Sequence, residues 1–311
     1  MKYPTVITHA DADGILCFSI FLKKIGSMDC RVYFSPLSKL KETLCLSIMK
    51  ANNLENLYVF DLTAKRETLI LASVYKNVRW IDHHIWPELN IPKNVEALVN
   101  TRSDSAAELV AKYFNIDTEL VRLANEIDKN NVKSEDAEFL RNLVGALRWK
   151  NRVPSILNNK FKNLAKNLAF SDLKEFERNE KIAELMQNYL KWIEKIKKTV
   201  RQKFKWFSID SMKIAIYETT EGVPVYVVNN ALLNHEKAPF DVIAILTHRI
   251  NMRNRKVFTR VDLRTHTNKN VYKIAKFFGG GGHKVACAAS VSGYLSSKDF
   301  LNILKDKFLK L

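Results

Sequence analysis

The chain has 311 residues and a mass of 35.9 kDa, and 47% of its residues are hydrophobic against 27% charged, which excludes a disordered protein and suggests two domains. Lysine and arginine number 50 against 33 aspartate and glutamate, so the net charge of +17 favours nucleic acid as a partner, with an anionic membrane second and a merely solvated lysine-rich surface as the alternative. No apolar run approaches the roughly 20 residues that cross a bilayer, and the segment before the first strand lacks the apolar stretch of a secretory signal, so we expect a soluble, cytoplasmic protein.

The first hundred residues alternate short, β-branched strands with helices. Strands are predicted over residues 5–9, 30–34, 57–60, 78–81 and 95–99, and helices over residues 14–25, 38–50 and 65–75. Because strands that alternate with helices pair in parallel, we expect a parallel sheet that is covered on both faces.

The pattern becomes helical at Ser105, where Ser105-x-x-Glu108 fits a capping box, and it stays helical to about residue 206. Residues 150–206 hold 15 Lys or Arg against 6 Asp or Glu, a net charge of +9, which is typical of a connector with one basic face. Strands are predicted again over residues 213–217, 224–228, 241–246 and 257–263, followed by helices over 270–278 and from 297. We therefore predict an α/β fold in three parts: an N-terminal parallel-sheet domain (1–150), a basic helical connector (151–205) and a smaller C-terminal α/β domain (206–311).

Acidic residues and histidines stand where three of the predicted strands end. They are His9, Asp11 and Asp13 at the first strand, Asp61 after the third, and Asp82, His83 and His84 after the fourth. Because the carboxyl ends of parallel strands meet at one edge of a sheet, we expect these side chains to share a crevice. Taken singly, an aspartate at one of these strand ends could cap a helix, and Asp82-His83-His84 could form an ordinary loop.

So many carboxylates cannot all ionise side by side without a counter-charge, which a divalent metal would supply. A mixed set of aspartate and histidine suits Mn²⁺ or a similar ion better than Ca²⁺, which takes oxygen ligands. There are enough ligands for two ions about 3.5–4 Å apart, an arrangement used in phosphoester hydrolysis. Gly14 would let the chain turn closely past the ions into its helix.

Taken together, these residues resemble the motifs of the DHH phosphoesterase superfamily. The stretch His9-x-Asp11-x-Asp13-Gly14 is similar to its first motif, Asp61 to its second, and Asp82-His83-His84 to the motif that names it. The run Gly279–Gly282, followed by His283, resembles the glycine-rich motif of the DHH-associated domain. The resemblance covers nearly the whole chain and implies a DHH catalytic domain at 1–150 and a DHH-associated, substrate-binding domain at 206–311.

The resemblance implies a centre of two metal ions, usually Mn²⁺ with Mg²⁺ or Co²⁺ as alternatives, that activates a water for in-line attack on phosphorus. By match to the motifs, one ion lies on His9, Asp11 and Asp61, and the other on Asp13, Asp61 and His83. His84, which faces the scissile phosphate, and Asp82 are assigned to catalysis.

A fourth motif, contributing one more aspartate to the metal site, is expected in the helices that follow the sheet. Our choice is Asp128, in the stretch Leu123-Ala124-Asn125-Glu126-Ile127-Asp128. Asp104 and Asp117 are rivals, and each of them could instead stand at the start of a helix.

The glycine run has its own physical interpretation. Four glycines expose backbone N–H groups and allow a phosphate to come close, so Gly280, Gly281, Gly282 and His283 are predicted to bind substrate. The alternative is a helix C-cap followed by a flexible turn. Arg264 fits the position of a family arginine that binds phosphate, and it could equally be a surface residue.

The leading functional hypothesis is a metal-dependent phosphodiesterase that degrades short single-stranded oligonucleotides to mononucleotides. The runner-up is a RecJ-like exonuclease on single-stranded DNA or RNA, since a basic groove can follow a nucleic-acid backbone. Hydrolysis of cyclic nucleotides or of a phosphomonoester is a third enzymatic hypothesis, and a catalytically silent scaffold is the non-enzymatic one. No membrane partner is predicted, and a homodimer is left open.

Overall fold

The computed structural model describes residues 3–151, 153–171, 173–209, 212–251 and 255–308. The chain divides into two compact units, Met1–Tyr189 and Leu190–Leu311. The boundaries predicted at residues 150 and 205 remain a proposal about domain organisation. None of the helices in the described ranges combines the length and the apolar character needed to cross a bilayer.

The first unit is built on a five-stranded sheet in which all neighbouring strands run parallel. Its strands are β1 (Thr5–His9), β2 (Arg31–Ser35), β3 (Asn56–Phe60), β4 (Asn77–Asp82) and β5 (Val95–Val99), in the spatial order β2-β1-β3-β4-β5. Helices α1 (Ala12–Ile25), α2 (Leu40–Met49) and α3 (Arg66–Ala72) connect these strands, with a 3-10 turn at Leu37–Lys39 before α2. The predicted parallel α/β architecture is therefore confirmed.

Alternating side chains along the central strands bury both faces of this sheet. Leu57 and Val59 of β3 join the core that α2 and α3 cover, together with the fully buried Trp80. On the opposite face, the ring of Phe21 in α1 lies 4.8 Å from that of Tyr58 and 6.0 Å from that of Phe60. Burial of apolar side chains on both faces, including these aromatic rings, stabilises such a layered fold.

A series of helices follows the sheet, as predicted. They are α4 (Ala106–Phe114), α5 (Leu120–Asp128), α6 (Glu135–Lys150), α7 (Pro154–Phe170), α8 (Lys174–Glu177) and α9 (Glu180–Lys203). At the start of α4 the Ser105 hydroxyl accepts a hydrogen bond from the Glu108 N–H (3.1 Å). The Glu108 carboxylate accepts from the N–H of Asp104 (3.1 Å), so the predicted capping box closes one residue earlier than its usual pattern.

The second unit contains a six-stranded mixed sheet in the order β10-β11-β9-β8-β7-β6. Its strands are β6 (Lys205–Ile209), β7 (Met212–Thr219), β8 (Val242–Ile250), β9 (Val257–Arg264), β10 (Gly281–Gly282) and β11 (Ala286–Ser292). Its helices are α10 (Val225–Leu233), α11 (Val271–Phe277) and α12 (Ser297–Phe308). Strands β6 and β11 were not predicted, and the strand predicted over residues 224–228 is wrong, because this segment begins α10.

Candidate metal centre

Strands β1, β3 and β4 are neighbours in the first sheet and run parallel, so their carboxyl ends meet at one edge. Every metal-binding or catalytic residue predicted in this unit has an imidazole or carboxylate atom in one of the groups that form there. These residues are His9, Asp11, Asp13, Asp61, Asp82, His83, His84 and Asp128. The sheet topology, together with the placement of helix α5, thus brings together side chains that are up to 119 positions apart in the sequence.

The first group consists of His9, Asp11 and Asp61. The His9 Nδ1 lies 2.6 Å from the Asp11 Oδ2 and 3.3 Å from the Asp61 Oδ2. The other oxygen of Asp11 accepts from the N–H of Gly14 (3.0 Å), which fixes the carboxylate at the start of α1. Asp61 has a φ of 58°, a left-handed conformation that strains residues other than glycine and that concentrates at functional sites.

The second group consists of Asp13, His83 and Asp128. The His83 Nε2 lies 3.9 Å from the Asp13 Oδ2 and 3.6 Å from the Asp128 Oδ2. Its Nδ1 faces the backbone carbonyl of Ser103 at 3.4 Å, so the ring is held on one side and directed at carboxylates on the other. Metal-binding histidines commonly have this arrangement, because a carbonyl partner fixes the ring orientation.

Asp61 lies between the two groups. Its Oδ2 is 3.3 Å from the His9 Nδ1, whereas its Oδ1 is 3.6 Å from the His83 Nε2. The Asp61 side chain is 2% exposed, so the two oxygens cannot be satisfied by bulk water. A single carboxylate with its oxygens turned toward two ligand groups has the geometry of a bridging ligand.

Asp82 and His84 form a separate pair at the end of β4. The Asp82 Oδ1 is 2.7 Å from the His84 Nδ1, and the backbone N–H of His83 donates to the same oxygen (2.9 Å). The Oδ2 of Asp82 accepts from the indole N–H of Trp86 (2.6 Å). Asp82 is fully buried, and these donors hold its carboxylate ionised, with a pKa below its usual range despite the opposing effect of burial.

The electrostatics of the centre favour added positive charge. Burial, reinforced by the negative charges of Asp128 and Asp11, raises the pKa of Asp13 to about 8. Burial and the same kind of repulsion raise the pKa of Asp61 and of Asp128 above their usual range. Carboxylates crowded around imidazole nitrogens at 3.3–3.9 Å therefore fit divalent cations, and the mixed oxygen and nitrogen donors suit a transition ion such as Mn²⁺.

The pKa of His84 is also raised, but in a histidine this favours the charged form of the side chain. Burial lowers the pKa of its imidazole, but the charge and hydrogen bond of Asp82 outweigh burial and raise the pKa to about 10. The raised pKa favours the imidazolium form of the ring, which can donate hydrogen bonds but cannot accept a proton.

The predicted substrate residues lie in the second unit. The N–H groups of Gly279 and Gly280 donate to the carbonyls of Lys276 and Ala275, so the first half of the glycine run caps α11. Gly281 and Gly282 form β10 opposite Ala288 and Cys287, and the N–H of His283 donates to the carbonyl of Ala286. The Arg264 guanidinium donates to the carbonyl of Leu263 (2.8 Å) at the end of β9. The capping interpretation thus accounts for two of the four glycines, and substrate binding by this segment remains a prediction.

Glycine is required within this run for steric reasons. A Cβ on Gly280 would lie 2.2 Å from the carbonyl oxygen of Ala288, and one on Gly282 would lie 2.6 Å from that of Ala286. Gly282 also has a φ of 129°. Close passage along β11 therefore explains part of the glycine enrichment.

Several residues at the centre escaped the sequence analysis. Trp86 and Ser103 support Asp82 and His83, and the backbone N–H groups of Ala106 (2.7 Å) and Ala107 (2.9 Å) donate to the Asp13 carboxylate. None of them has a sequence signal, because an indole or a backbone amide is identified only by where the fold places it. Arg148 on α6 also acts here, since its positive charge opposes the rise in the pKa of His9, which Asp11 causes, and contributes to the lowered pKa of Asp11.

The rivals of Asp128 have other surroundings. The Asp104 carboxylate forms an ion pair with Lys129 (2.6 Å), and Asp117 is exposed and belongs to none of the ligand groups found among the described residues. Asp128 stands at the end of α5 with its carboxylate directed at His83. The geometry therefore favours Asp128 for the fourth motif.

No protein-family model and no curated protein matches the sequence, whereas 56 chains of solved structures match the fold. One is PggH, a pGpG-specific phosphodiesterase from Vibrio cholerae, with a TM-score of 0.61 and 15% identity over 99% of this chain and 98% of that one. Another is the DHH domain of PF0399, a member of the s1p family of ribosomal proteins, with a TM-score of 0.62 and 15% identity over 100% of this chain and 87% of that one. The exonuclease RecJ bound to manganese aligns over 98% of this chain and 88% of its own, with a TM-score of 0.52 and 13% identity.

These similarities extend over both units, and at such low identity they concern the fold. The motifs at the ends of β1, β3 and β4 had led to the same expectation from the sequence. The chain has the fold of the DHH-domain proteins over nearly its whole length, as its motifs predicted.

Proposed function

We propose that the protein is a metal-dependent phosphoesterase that hydrolyses short oligonucleotides to mononucleotides. The observation that carries this proposal is the position of Asp61, whose two oxygens face two separate groups of carboxylates and imidazoles. The solved structures of similar fold include a phosphodiesterase and an exonuclease, which supports phosphoester bonds as the substrate class.

The ligand groups divide the metal-binding residues between two ions. His9, Asp11 and Asp61 would hold one divalent ion, and Asp13, His83 and Asp128, together with Asp61, would hold the second. Mn²⁺ suits this donor set best, with Mg²⁺ or Co²⁺ as alternatives. When bound, such ions would supply a nucleophilic water at neutral pH and would offset the negative charge of the phosphate.

His84 and Asp82 have complementary tasks in this proposal. The imidazolium of His84 would donate a hydrogen bond to an oxygen of the scissile phosphate or a proton to the leaving oxygen. Asp82 keeps the ring charged and oriented through its Nδ1, and the indole N–H of Trp86 holds Asp82. A substrate would therefore be met by the Nε2 of His84.

The proposed size of the substrate rests on the comparison with PggH. The similarity extends over 98% of PggH and nearly all of this chain. Because PggH is specific for pGpG, a match over the whole of both chains favours a substrate of a few nucleotides. A RecJ-like exonuclease on longer single strands is the second candidate, because the similarity to RecJ is joined by the net charge of +9 over residues 150–206.

The experiment is a cleavage assay with Mn²⁺ and end-labelled oligoribonucleotides from two to about two dozen units, lengths that bracket a single-strand site. We expect rapid loss of the shortest substrates. Asp61→Asn should lower kcat/KM roughly 100-fold or more, since it replaces a charged ligand, whereas the exposed Asp117→Asn should act as the matched control. A ladder of products from the long strands would favour the exonuclease. Unchanged activity of Asp61→Asn would contradict the proposed centre, and binding of Mn²⁺ without any cleavage would redirect the search to cyclic nucleotides and phosphomonoesters.

A further inference from the structure

The part of α9 that belongs to the second unit has one strongly basic side. Lys191, Lys195, Lys198 and Arg201 follow one another at intervals of three or four residues, so they lie on the same side of the helix. All four side chains are exposed. We call these four residues the basic stripe.

The opposite side of this helix segment is buried. Ile193, Ile196 and Val200 are 4%, 4% and 0% exposed, so the segment presents no continuous apolar surface that could enter a lipid bilayer. In the described part of the chain, no carboxylate forms an ion pair with a member of the basic stripe. The nearby Glu194 pairs with Lys197 (2.6 Å) instead. Among the described residues the four cations of the stripe thus have no ion-pair partner, and Glu194, which lies on the same side of the helix, is engaged by Lys197.

An exposed tryptophan follows directly after the helix. Trp206 stands on β6, the edge strand of the second sheet, and is 42% exposed. The Nζ atoms of Lys213 and Lys237 lie 5.5 Å and 5.3 Å from the centre of its ring. Glu236, next to Lys237 in the sequence, is exposed, and the Asp241 carboxylate accepts from the backbone N–H of Lys213 (2.9 Å).

We propose that the basic stripe and Trp206 form a binding surface for single-stranded nucleic acid. The stripe offers four cations at helical spacing to successive phosphates, and the indole offers a ring on which a base can stack in place of a lysine ammonium group that lies over it. Positive charge that follows a backbone, combined with an exposed aromatic ring, is the recurring design of single-strand binding surfaces. The surface goes beyond the proposed function, because it would hold a strand through residues that are not part of the metal centre.

Binding is measured by fluorescence anisotropy of a labelled single strand of about 20 nucleotides, a length that spans several stripe residues. The full chain is used in EDTA, so the strand stays intact and the result does not depend on catalysis. The triple variant Lys195→Gln, Lys198→Gln, Arg201→Gln should weaken binding at least tenfold. It should also reduce the slope of log K against log salt by about 2, because each lost contact to a single strand contributes ~0.7.

The matched control removes the same charge elsewhere. Lys298→Gln, Lys305→Gln, Lys307→Gln changes three exposed cations of α12 and should leave the affinity within about twofold, as a loss of general attraction only. Equal losses in the two triple variants would overturn the proposal in favour of net charge alone.

Trp206 is tested by its own pair of variants. Trp206→Ala should weaken binding about tenfold, the usual effect of one stacked base, and Trp206→Phe should retain most of the affinity. An equal affinity of Trp206→Ala and the unaltered chain would overturn the stacking role. Binding of the chain to vesicles of anionic lipid, without binding to the strand, would overturn the assignment of nucleic acid. If the unaltered chain binds the strand but cleaves no oligonucleotide in Mn²⁺, the proposed function is contradicted, whereas the proposed binding surface is supported.

Discussion

At the scale of single residues, the Asp82 carboxylate is held by more donors than any strand-end motif could reveal. Besides His84, the indole of Trp86 donates to it at 2.6 Å, while the Trp86 ring packs edge-on against that of Trp80 at 5.6 Å. Trp86→Phe would keep most of the ring and remove only the donor. We expect kcat to fall about 10-fold with little change in KM, because the loss of such a support disturbs the orientation of His84 rather than substrate binding.

The measurement is steady-state cleavage of the shortest accepted substrate, with Trp86→Phe compared with the unaltered chain. The conservative variant at an exposed position, Tyr294→Phe, is the control for loss of one donor elsewhere. A kcat unchanged in Trp86→Phe would mean that Asp82 keeps its position without the indole.

Some residues of the candidate metal centre could be predicted from the sequence, and others could not. The aspartates and histidines after β1, β3 and β4 were found because strand ends can be identified from hydrophobic runs, and parallel topology then makes them neighbours. The supports of these residues could not be found in this way. Ser103 acts through its carbonyl and Ala106 through its N–H, groups that every residue carries, so only the folded chain distinguishes them.

At the scale of elements, the turn from β1 into α1 depends on Gly14. A Cβ there would lie 2.1 Å from the carbonyl oxygen of His9, and this contact is with backbone. Helix propensity favours alanine over glycine by about 1 kcal/mol, but relief of the backbone clash requires the strand or the helix to move. We therefore expect Gly14→Ala to lower the free energy of unfolding by about 1–3 kcal/mol, the usual cost of overpacking.

Chemical denaturation checks this expectation, with Gly281→Ala as the matched control, since its Cβ would meet nothing within 4 Å. Gly281→Ala should leave the unfolding midpoint nearly unchanged. If Gly14→Ala stabilised the chain, helix propensity would have outweighed the contact, and the approach of α1 to β1 would be looser than described.

Helix α10 shows why one element was predicted wrongly. Its first residues, Val225-Tyr226-Val227-Val228, are β-branched or aromatic and resemble a strand after Pro224. The buried apolar positions are Val227, Val228, Ala231 and Leu232, which have helical spacing. Local propensity favoured a strand over five residues, whereas packing over nine residues selected a helix. Strand β11 was missed for a related reason, because its alanines and serines carry little β propensity.

At the scale of the whole molecule, the metal-free chain should lose stability as the pH rises. The folded-state pKa of Asp13 is about 8, above the value near 4 that an unfolded aspartate has. The folded state therefore holds a proton that the unfolded state has released, and this contribution is present below pH ~4 and lost as the pH rises through about 8. His84, with a pKa raised to about 10, acts in the same direction between about pH 6.5 and 10.

Thermal unfolding in EDTA at pH 5.5 and pH 8 tests this expectation. The Tm should be lower at pH 8 by at least about 2 °C, the shift that corresponds to 1 kcal/mol in a domain of this size. Mn²⁺ should raise the Tm more at pH 8 than at pH 5.5, because it competes with protons for the same carboxylates. Asp13→Asn should make the dependence in EDTA shallower and leave the part that His84 contributes, whereas a dependence that is identical in this variant would assign all of it to groups other than Asp13.

The hydrogen bonds of Asp13 have one more consequence. The same carboxylate that belongs to the second ligand group also receives the first two N–H groups of α4. An ion bound there would draw on oxygens that already anchor a helix, so its affinity and the order of that helix would rise and fall together. In a medium poor in divalent ions the amide protons at the start of α4 would be the first to exchange with solvent. A chelator would thus act on this chain as a mild local denaturant as well as an inhibitor.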